Sequence, residues 1–159
     1  MLPLIVLIVV FSVLQVIGRL RVPRLASPVT SLRWALAMMF LFTASAHFGP
    51  QRADLVHMVP SMFRDPELLV TLTGIAEILG AIGLVIPRIA PVAASGLALL
   101  LVAMFPANIK AALEDLTIGG RPVWGVVPRG ILQLVFLAAV LLAGFAPYLR
   151  GRRIARRTA

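Results

Sequence analysis

The chain has 159 residues, 60% of them hydrophobic and 13% charged, with mean hydropathy +1.01 and formal net charge +9. A soluble domain is typically about half apolar and a quarter charged, so this composition, gathered in blocks of bilayer length, excludes an ordinary water-soluble fold and describes an integral membrane protein. The absence of cysteine excludes disulfides, thiolate metal sites and cysteine nucleophiles within the chain.

Residues 2–18 form the first apolar block, with Ser12 and Gln15 as its polar members. No Lys or Arg precedes it, no small-x-small cleavage site follows it, and Arg19, Arg21 and Arg24 come directly after. It therefore reads as an uncleaved span rather than a signal peptide. Residues 19–33 read as a basic loop, and residues 32–48 as a second span that stops at Gly49-Pro50. In residues 51–58, Leu55, Val56 and Met58 are interspersed with Arg52, Asp54 and His57, the pattern of a short helix in the membrane interface. A third span, residues 67–86, opens on Asp65-Pro66-Glu67: a capping oxygen, a proline suited to the first turn, and an acid at the positive end of the helix dipole. Pro87 closes it. The fourth span, residues 89–105, follows at once, so the two form an antiparallel hairpin. Gly74, Gly80 and Gly83 on one side and Ala93, Ala94, Ser95, Gly96 and Ala98 on the other allow close backbone approach.

Phe105-Pro106 is expected to end the fourth span, leaving residues 108–116 as a separate interfacial helix. Trp124 is an expected interface anchor, and Pro128 opens a fifth span, residues 130–149, before an arginine-rich tail. The expected fold is all-α: residues 1–159 make a single polytopic transmembrane helical bundle of five spans.

Five spans place alternate loops on opposite sides. One side collects Arg19, Arg21, Arg24, Arg33, Arg88, Arg150, Arg152, Arg153, Arg156 and Arg157 without an acidic residue. The other holds Arg52, Arg64, Lys110, Arg121 and Arg129 against Asp54, Asp65, Glu67, Glu114 and Asp115. The positive-inside rule then sets the N-terminus outside and the C-terminus in the cytoplasm. The arginines serve anionic membrane lipids, so the charge needs no nucleic-acid partner.

Glu77 stands in the middle of the third span. A carboxylate at that depth costs on the order of 3 kcal/mol, which makes it a functional candidate. At about 1.5 Å per residue it lies roughly 15 Å from the Pro87 turn, level with Thr43, Ser95 and Ser12. No cation falls at that depth, so a neutral acid among hydroxyls is expected. An interhelical staple worth about 1 kcal/mol and a ligand- or proton-handling acid are both open.

His47, Asn108 and Gln133, with Arg129 and Trp124 nearby, come from three spans yet share one membrane side, as a pocket open to that side requires. His47 changes charge near neutrality. Each also has a plainer reading: His47 on a loop carbonyl, Asn108 as a helix cap, Gln133 as an interhelical bond. By the same rise per residue, His47 and Glu77 are expected on the order of 12 Å apart in depth and out of contact. His47, His57, Asp54 and Glu77 lack the spacing of a metal site, and none is expected.

Ala46-His47-Phe48, Met58-Val59-Pro60, Thr73-Gly74-Ile75-Ala76-Glu77, Phe105-Pro106-Ala107-Asn108-Ile109, Gly119-Gly120-Arg121-Pro122 and Arg129 with Gln133, in that order, resemble the DoxX-like family of small bacterial integral membrane proteins. The resemblance covers nearly the whole chain and is weakest before Arg33. It implies a four-helix core with an added N-terminal helix, a multi-pass place in the bacterial cytoplasmic (inner) membrane, and polar family positions at His47, Glu77 and Asn108. The family's link to thiosulfate oxidation with quinone as acceptor implies membrane redox chemistry. The resulting expectation is a redox-associated subunit, part of a quinone-linked oxidoreductase, with no covalently bound cofactor. A quinone or similar apolar ligand would sit in a pocket open to the outer face. His47 and Asn108 would hold its head, Gln133, Arg129, Trp124, Thr43 and Ser95 would line the site, and Glu77 would relay a proton. A redox partner protein would have to supply the electrons. A non-catalytic binding or transport module and a structural membrane subunit are the alternatives, and homo-oligomerisation is open.

Overall fold

The computed structural model describes residues 2–155, and the side chains of residues 2–147. Its elements are α1 (Leu2–Leu20), a 3-10 turn (Pro23–Ala26), α2 (Pro28–Phe48), α3 (Arg52–Met58), α4 (Pro66–Val85), α5 (Ala90–Leu113), the two-residue strands β1 (Thr117–Ile118) and β2 (Arg121–Pro122), and α6 (Val126–Ala155). Five of the helices, α1, α2, α4, α5 and α6, are long and apolar enough to cross a membrane. At 1.5 Å per residue, about 20 residues match the roughly 30 Å hydrocarbon core. Of the tail arginines, the side chains of Arg150, Arg152 and Arg153 and the whole of Arg156 and Arg157 lie outside what is described.

Several boundaries differ from expectation, α6 for one beginning at Val126 rather than at residue 130, and two of them, both at prolines, bear on the contacts between helices. Helix α2 starts at Pro28 rather than four residues later, because a proline in the first turn needs no N–H partner and already has a helical φ. Ser31 Oγ ties this start down by donating to Leu25 O at 2.6 Å. Arg33 therefore belongs to the helix rather than to a basic loop. It is 9% exposed, and its Nε donates to Ala143 O on α6 at 2.8 Å. The second difference is in α5, which runs through Pro106 to Leu113, so the expected fourth span and the expected interfacial helix 108–116 are one helix. Proline removes one N–H and crowds the preceding turn, but in a bundle a neighbouring helix can satisfy the carbonyls of that turn. The carbonyl that loses its helical donor is that of Val102, and beside it Gln133 Nε2 on α6 donates to Leu101 O at 2.5 Å, tying α6 to α5 next to the proline.

The helices close into a ring in the order α2, α4, α5, α6 and back to α2, with α1 packed against α2 from outside. The interior is filled by Leu36, Met39, Phe40, Leu84, Leu97 and Val140, interleaved with Ala35, Ala81, Ala94 and Ala143. The outer surface carries exposed Val92, Leu99 and Leu134, as a surface solvated by lipid does.

One end of the bundle is gathered by polar contacts. Lys110 Nζ on α5 donates to His57 O at 2.8 Å and Val59 O at 3.0 Å, fixing the end of α3. Asp54 Oδ2 on α3 accepts from Gly119 N at 2.7 Å. Gly119 and Gly120 turn the β1–β2 hairpin with φ of 58° and 73°, values that a two-residue hairpin turn demands and that a side chain resists. The end of α2, the start of α4, the end of α5 and the start of α6 all meet there.

Candidate functional site

On α2, Thr43 and His47 are four residues apart and share one face. On α4, Val70, Gly74 and Glu77 fall on one face by the same periodicity. The two faces meet. Gly74 permits the approach: a Cβ there would lie 2.7 Å from His47 Cβ. The imidazole reaches across the seam with Nδ1 2.8 Å from Val70 O and Nε2 3.9 Å from Glu77 Oε1. Thr43 Oγ1 lies 2.8 Å from Glu77 Oε2 and 3.0 Å from Phe40 O. His47 is 3% exposed and Glu77 5%.

A carbonyl only accepts, so Nδ1 carries a hydrogen toward Val70 and Nε2 is the ring atom that faces the acid. Thr73 Oγ1, 3.3 Å from Nδ1, donates to Leu69 O at 2.9 Å and so turns a lone pair to the same N–H. The arrangement fits two proton positions. With the proton on Nε2, imidazolium faces carboxylate and the Thr43 hydroxyl donates to Oε2. With the proton on Glu77, Thr43 accepts it and turns its own hydrogen to Phe40 O. At 3.9 Å the nitrogen–oxygen pair is within ion-pair range but beyond hydrogen-bond length. A transfer needs about 1 Å of closure, of the kind that ligand binding brings to catalytic groups.

The expected Thr43–Glu77 contact is present. The expected separation of His47 from Glu77 is not: the two side chains meet. A rise-per-residue count compares Cα levels, and Gly74, opposite His47, is only three residues from Glu77, about 4.5 Å of rise. The imidazole spans the remainder. Ser95 is exposed and donates to Pro91 O at 3.0 Å, and Ser12 is exposed on α1.

The other expected ligand residues gather between α5 and α6. Arg129 Nη1 donates to Asn108 Oδ1 at 2.6 Å, and Gln133 is held by Leu101 O. Trp124 is 43% exposed just before α6. Helical spacing still turns both groups inward. Arg129, Gln133, Phe136, Val140 and Ala143 follow at intervals of four and three, the stripe that holds the buried Val140 and Ala143. Leu97, Leu101, Met104, Asn108 and Ala111 do the same on α5. His47 continues the stripe of Leu36, Phe40 and Ala44, and Glu77 that of Ala81 and Leu84. The ring order therefore puts an acid–base pair on the α2–α4 half of the interior and a cation–amide pair on the α5–α6 half, with His47, Asn108 and Arg129 toward the α3 end.

Arg52, on the short interfacial helix α3, is a polar tie that depth and spacing do not single out. Its Nη1 donates to His47 O at 2.9 Å, and its Nη2 donates to Glu67 O at 3.1 Å and Thr71 Oγ1 at 2.9 Å. The available signal is a cation four residues past the end of α2, where carbonyls lack helical partners. With Gly49, Pro50, Ala53, Val56, His57 and Glu67 it lines an open groove of about 500 Å³ at this end. Among the described residues, no three His, Asp or Glu side chains converge as metal ligands.

Five bilayer-length helices around a buried acid–base pair define a small multi-pass membrane protein. Residues 36–143 match the family model described as "Domain of unknown function (DUF8561)", and the chain belongs to that family. The matched segment holds His47, Glu77, Asn108 and Arg129 and leaves out α1. No curated protein and no solved structure matches the chain. The DoxX-like resemblance has no counterpart in these comparisons.

Proposed function

We propose that this protein is a proton-exchanging module of the bacterial inner membrane that serves a quinone or a similar apolar redox ligand. The N-terminus lies outside and the C-terminus in the cytoplasm, so the α3 end faces outward. One observation carries the reading: a histidine and a glutamate face each other inside a membrane bundle, with a threonine placed to stabilise the acid in either protonation state. A bilayer interior penalises such groups, and polar groups held there mark proton or ligand pathways more often than packing. The ligand's oxygen meets the pair from the α3 end. Reduction of a quinone takes two electrons and two protons. A partner protein supplies the electrons, and the His47–Glu77 pair hands over a proton and is recharged from water at the outer surface. The DoxX-like motif order supports the quinone class, and the one-sided distribution of arginines supports the orientation.

The test is Glu77→Gln, reconstituted with a short-chain quinone and its electron-donating partner fraction. Loss of quinone reduction with an unchanged melting temperature supports the reading. The structural alternative has one observation in its favour, the near-complete enclosure of the pair. It requires the opposite result: unchanged reduction with a lowered melting temperature.

A further inference from the structure

The His47–Glu77 pair leaves the α5–α6 half of the interior unexplained, and its chemistry is of a different kind. Arg129 is partly buried on the stripe of α6 that faces inward, and among the described residues its one hydrogen-bonded partner is the neutral amide of Asn108. Neither of the ion pairs formed among the described residues, His47–Glu77 and Lys110–Glu114, involves it. The contrast with neighbouring cations is sharp. Arg52 rests on three oxygen acceptors and Lys110 on two carbonyls. A guanidinium has five N–H groups and no acceptor, and an amide that gives its oxygen to that guanidinium has only its NH2 left to offer. The pair therefore keeps donors and positive charge in surplus on the helix stripes that carry the buried Val140, Ala143 and Ala111. That combination suits an anionic oxygen, for which the planar fork of an arginine is the matching shape.

We propose that Arg129 and Asn108 form an oxyanion site in the α3-end half of the bundle interior, binding the ionised acidic oxygen of an apolar ligand, a phenolate or carboxylate, across the ring from His47 and Glu77. This rests on the proposed function for the role of the acid–base pair, but the anion site itself does not need the ligand to be a redox molecule. Arg129 Nη1 stays on Asn108 Oδ1 and fixes the plane of the guanidinium. The remaining N–H groups and the Asn108 amide hydrogens point to the bound oxygen.

The experiment measures binding to the full chain in nanodiscs with three probes: an alkyl hydroxynaphthoquinone, ionised at neutral pH, its uncharged methoxy analogue, and dodecanoate. The hydroxy compound is expected to bind at least about tenfold more tightly than the methoxy one, as a charge-assisted bond should make it. Arg129→Gln should abolish that preference, Arg129→Lys should retain part of it, and Arg121→Gln, in the exposed hairpin turn, should leave it intact. The Lys variant and Asn108→Ala keep the test valid if the Gln variant does not fold. Equal preference in wild type and Arg129 variants overturns the site. If dodecanoate binds through Arg129 while neither naphthoquinone binds, the oxyanion site stands and the redox reading falls. If no anionic probe depends on Arg129, the oxyanion site falls whatever the quinone result.

Discussion

The two polar seams of this bundle occupy equivalent places and are completed in opposite ways. Between α2 and α4 the charges are matched: Thr43 lies on Glu77 Oε2, Val70 O takes His47 Nδ1–H, and His47 Nε2 faces Glu77 Oε1 at ion-pair distance. Between α5 and α6, Arg129 and Asn108 satisfy one bond and leave a surplus of donors. The first seam offers a proton two positions, and passage between them requires the 3.9 Å nitrogen–oxygen gap to close by about 1 Å. The second holds a cation with no ion-pair partner among the described residues. On the proposed function, the first seam would store a proton and the second would capture an anion, the juxtaposition that proton-coupled chemistry on an acidic oxygen needs.

If the α2–α4 seam is a fitted acid–base frame, the most damaging change is the one that moves its walls. Gly74→Val places a branched side chain where even a Cβ would sit 2.7 Å from His47 Cβ and 2.9 Å from the Phe48 ring. Overpacking of this kind costs about 1–3 kcal/mol in well-packed interiors. The value should reach the top of that range, because the obstruction includes the Cβ of a helical residue. Thermal unfolding in detergent should show the largest loss of any variant named here, and nitrogen NMR of His47 should lose the Nδ1–H bonded signature. The next largest effect should come from Arg52→Ala, which strips acceptors at the junction of α2 and α4 of their donor. About 2 kcal/mol is expected, since bonds to charged donors are worth about 1.5–3 kcal/mol but these lie partly in solvent. Proteolysis or hydrogen exchange confined to α3 and the first turn of α4 would locate it.

These changes also mark what the sequence could disclose. The five spans were readable because bilayer crossing demands about 20 apolar residues in a row, and Glu77 was conspicuous because it broke one. The Thr43 contact was readable because hydroxyls at matching depth were few. The His47–Glu77 contact was hidden, since depth counting ignores side-chain length and the stagger that Gly74 permits. Proline misled in two directions. Pro28 opened a helix that was expected to begin later, although the same first-turn exemption is readable at Pro66, and Pro106 failed to stop one, since the tie from Gln133 to Leu101 O beside it is not visible without knowing that α5 and α6 are neighbours. Arg33 went with the first of these errors: counted as a loop charge, it is an interior tie from α2 to Ala143.

Glu77→Gln should be milder in stability than either change above. The amide is nearly isosteric, can give its NH2 to His47 Nε2 and can accept from Thr43 with its oxygen, so a cost below about 1 kcal/mol is expected. What it removes is the second proton position. Infrared difference spectra should lose the carboxylic-acid carbonyl band. A double-mutant cycle with Thr43→Val should show coupling of about 0.5 kcal/mol or more, as for residues in one hydrogen-bonded network. Additivity of the two changes would mean that Thr43 does not sense the acid's protonation, and the two-position account would lose its stabilising group.

The smallest effect on stability separates the two seams most cleanly. Arg129→Gln in ligand-free protein removes a partly exposed cation whose one recorded bond, to Asn108, the new amide can partly replace. A change of no more than about 0.5 kcal/mol is expected, as for polar substitutions that leave no buried group unsatisfied. The melting temperature should barely move, or rise slightly as a partly buried charge is removed. If instead the variant loses as much as Arg52→Ala, Arg129 is a tie between α5 and α6 in the way that Arg52 is a tie between α2 and α4. The contrast between a completed seam and an open one would then disappear. A small loss without ligand, together with a large loss of acidic-ligand binding, is the pattern that a donor surplus kept for an anion produces and a packing role does not.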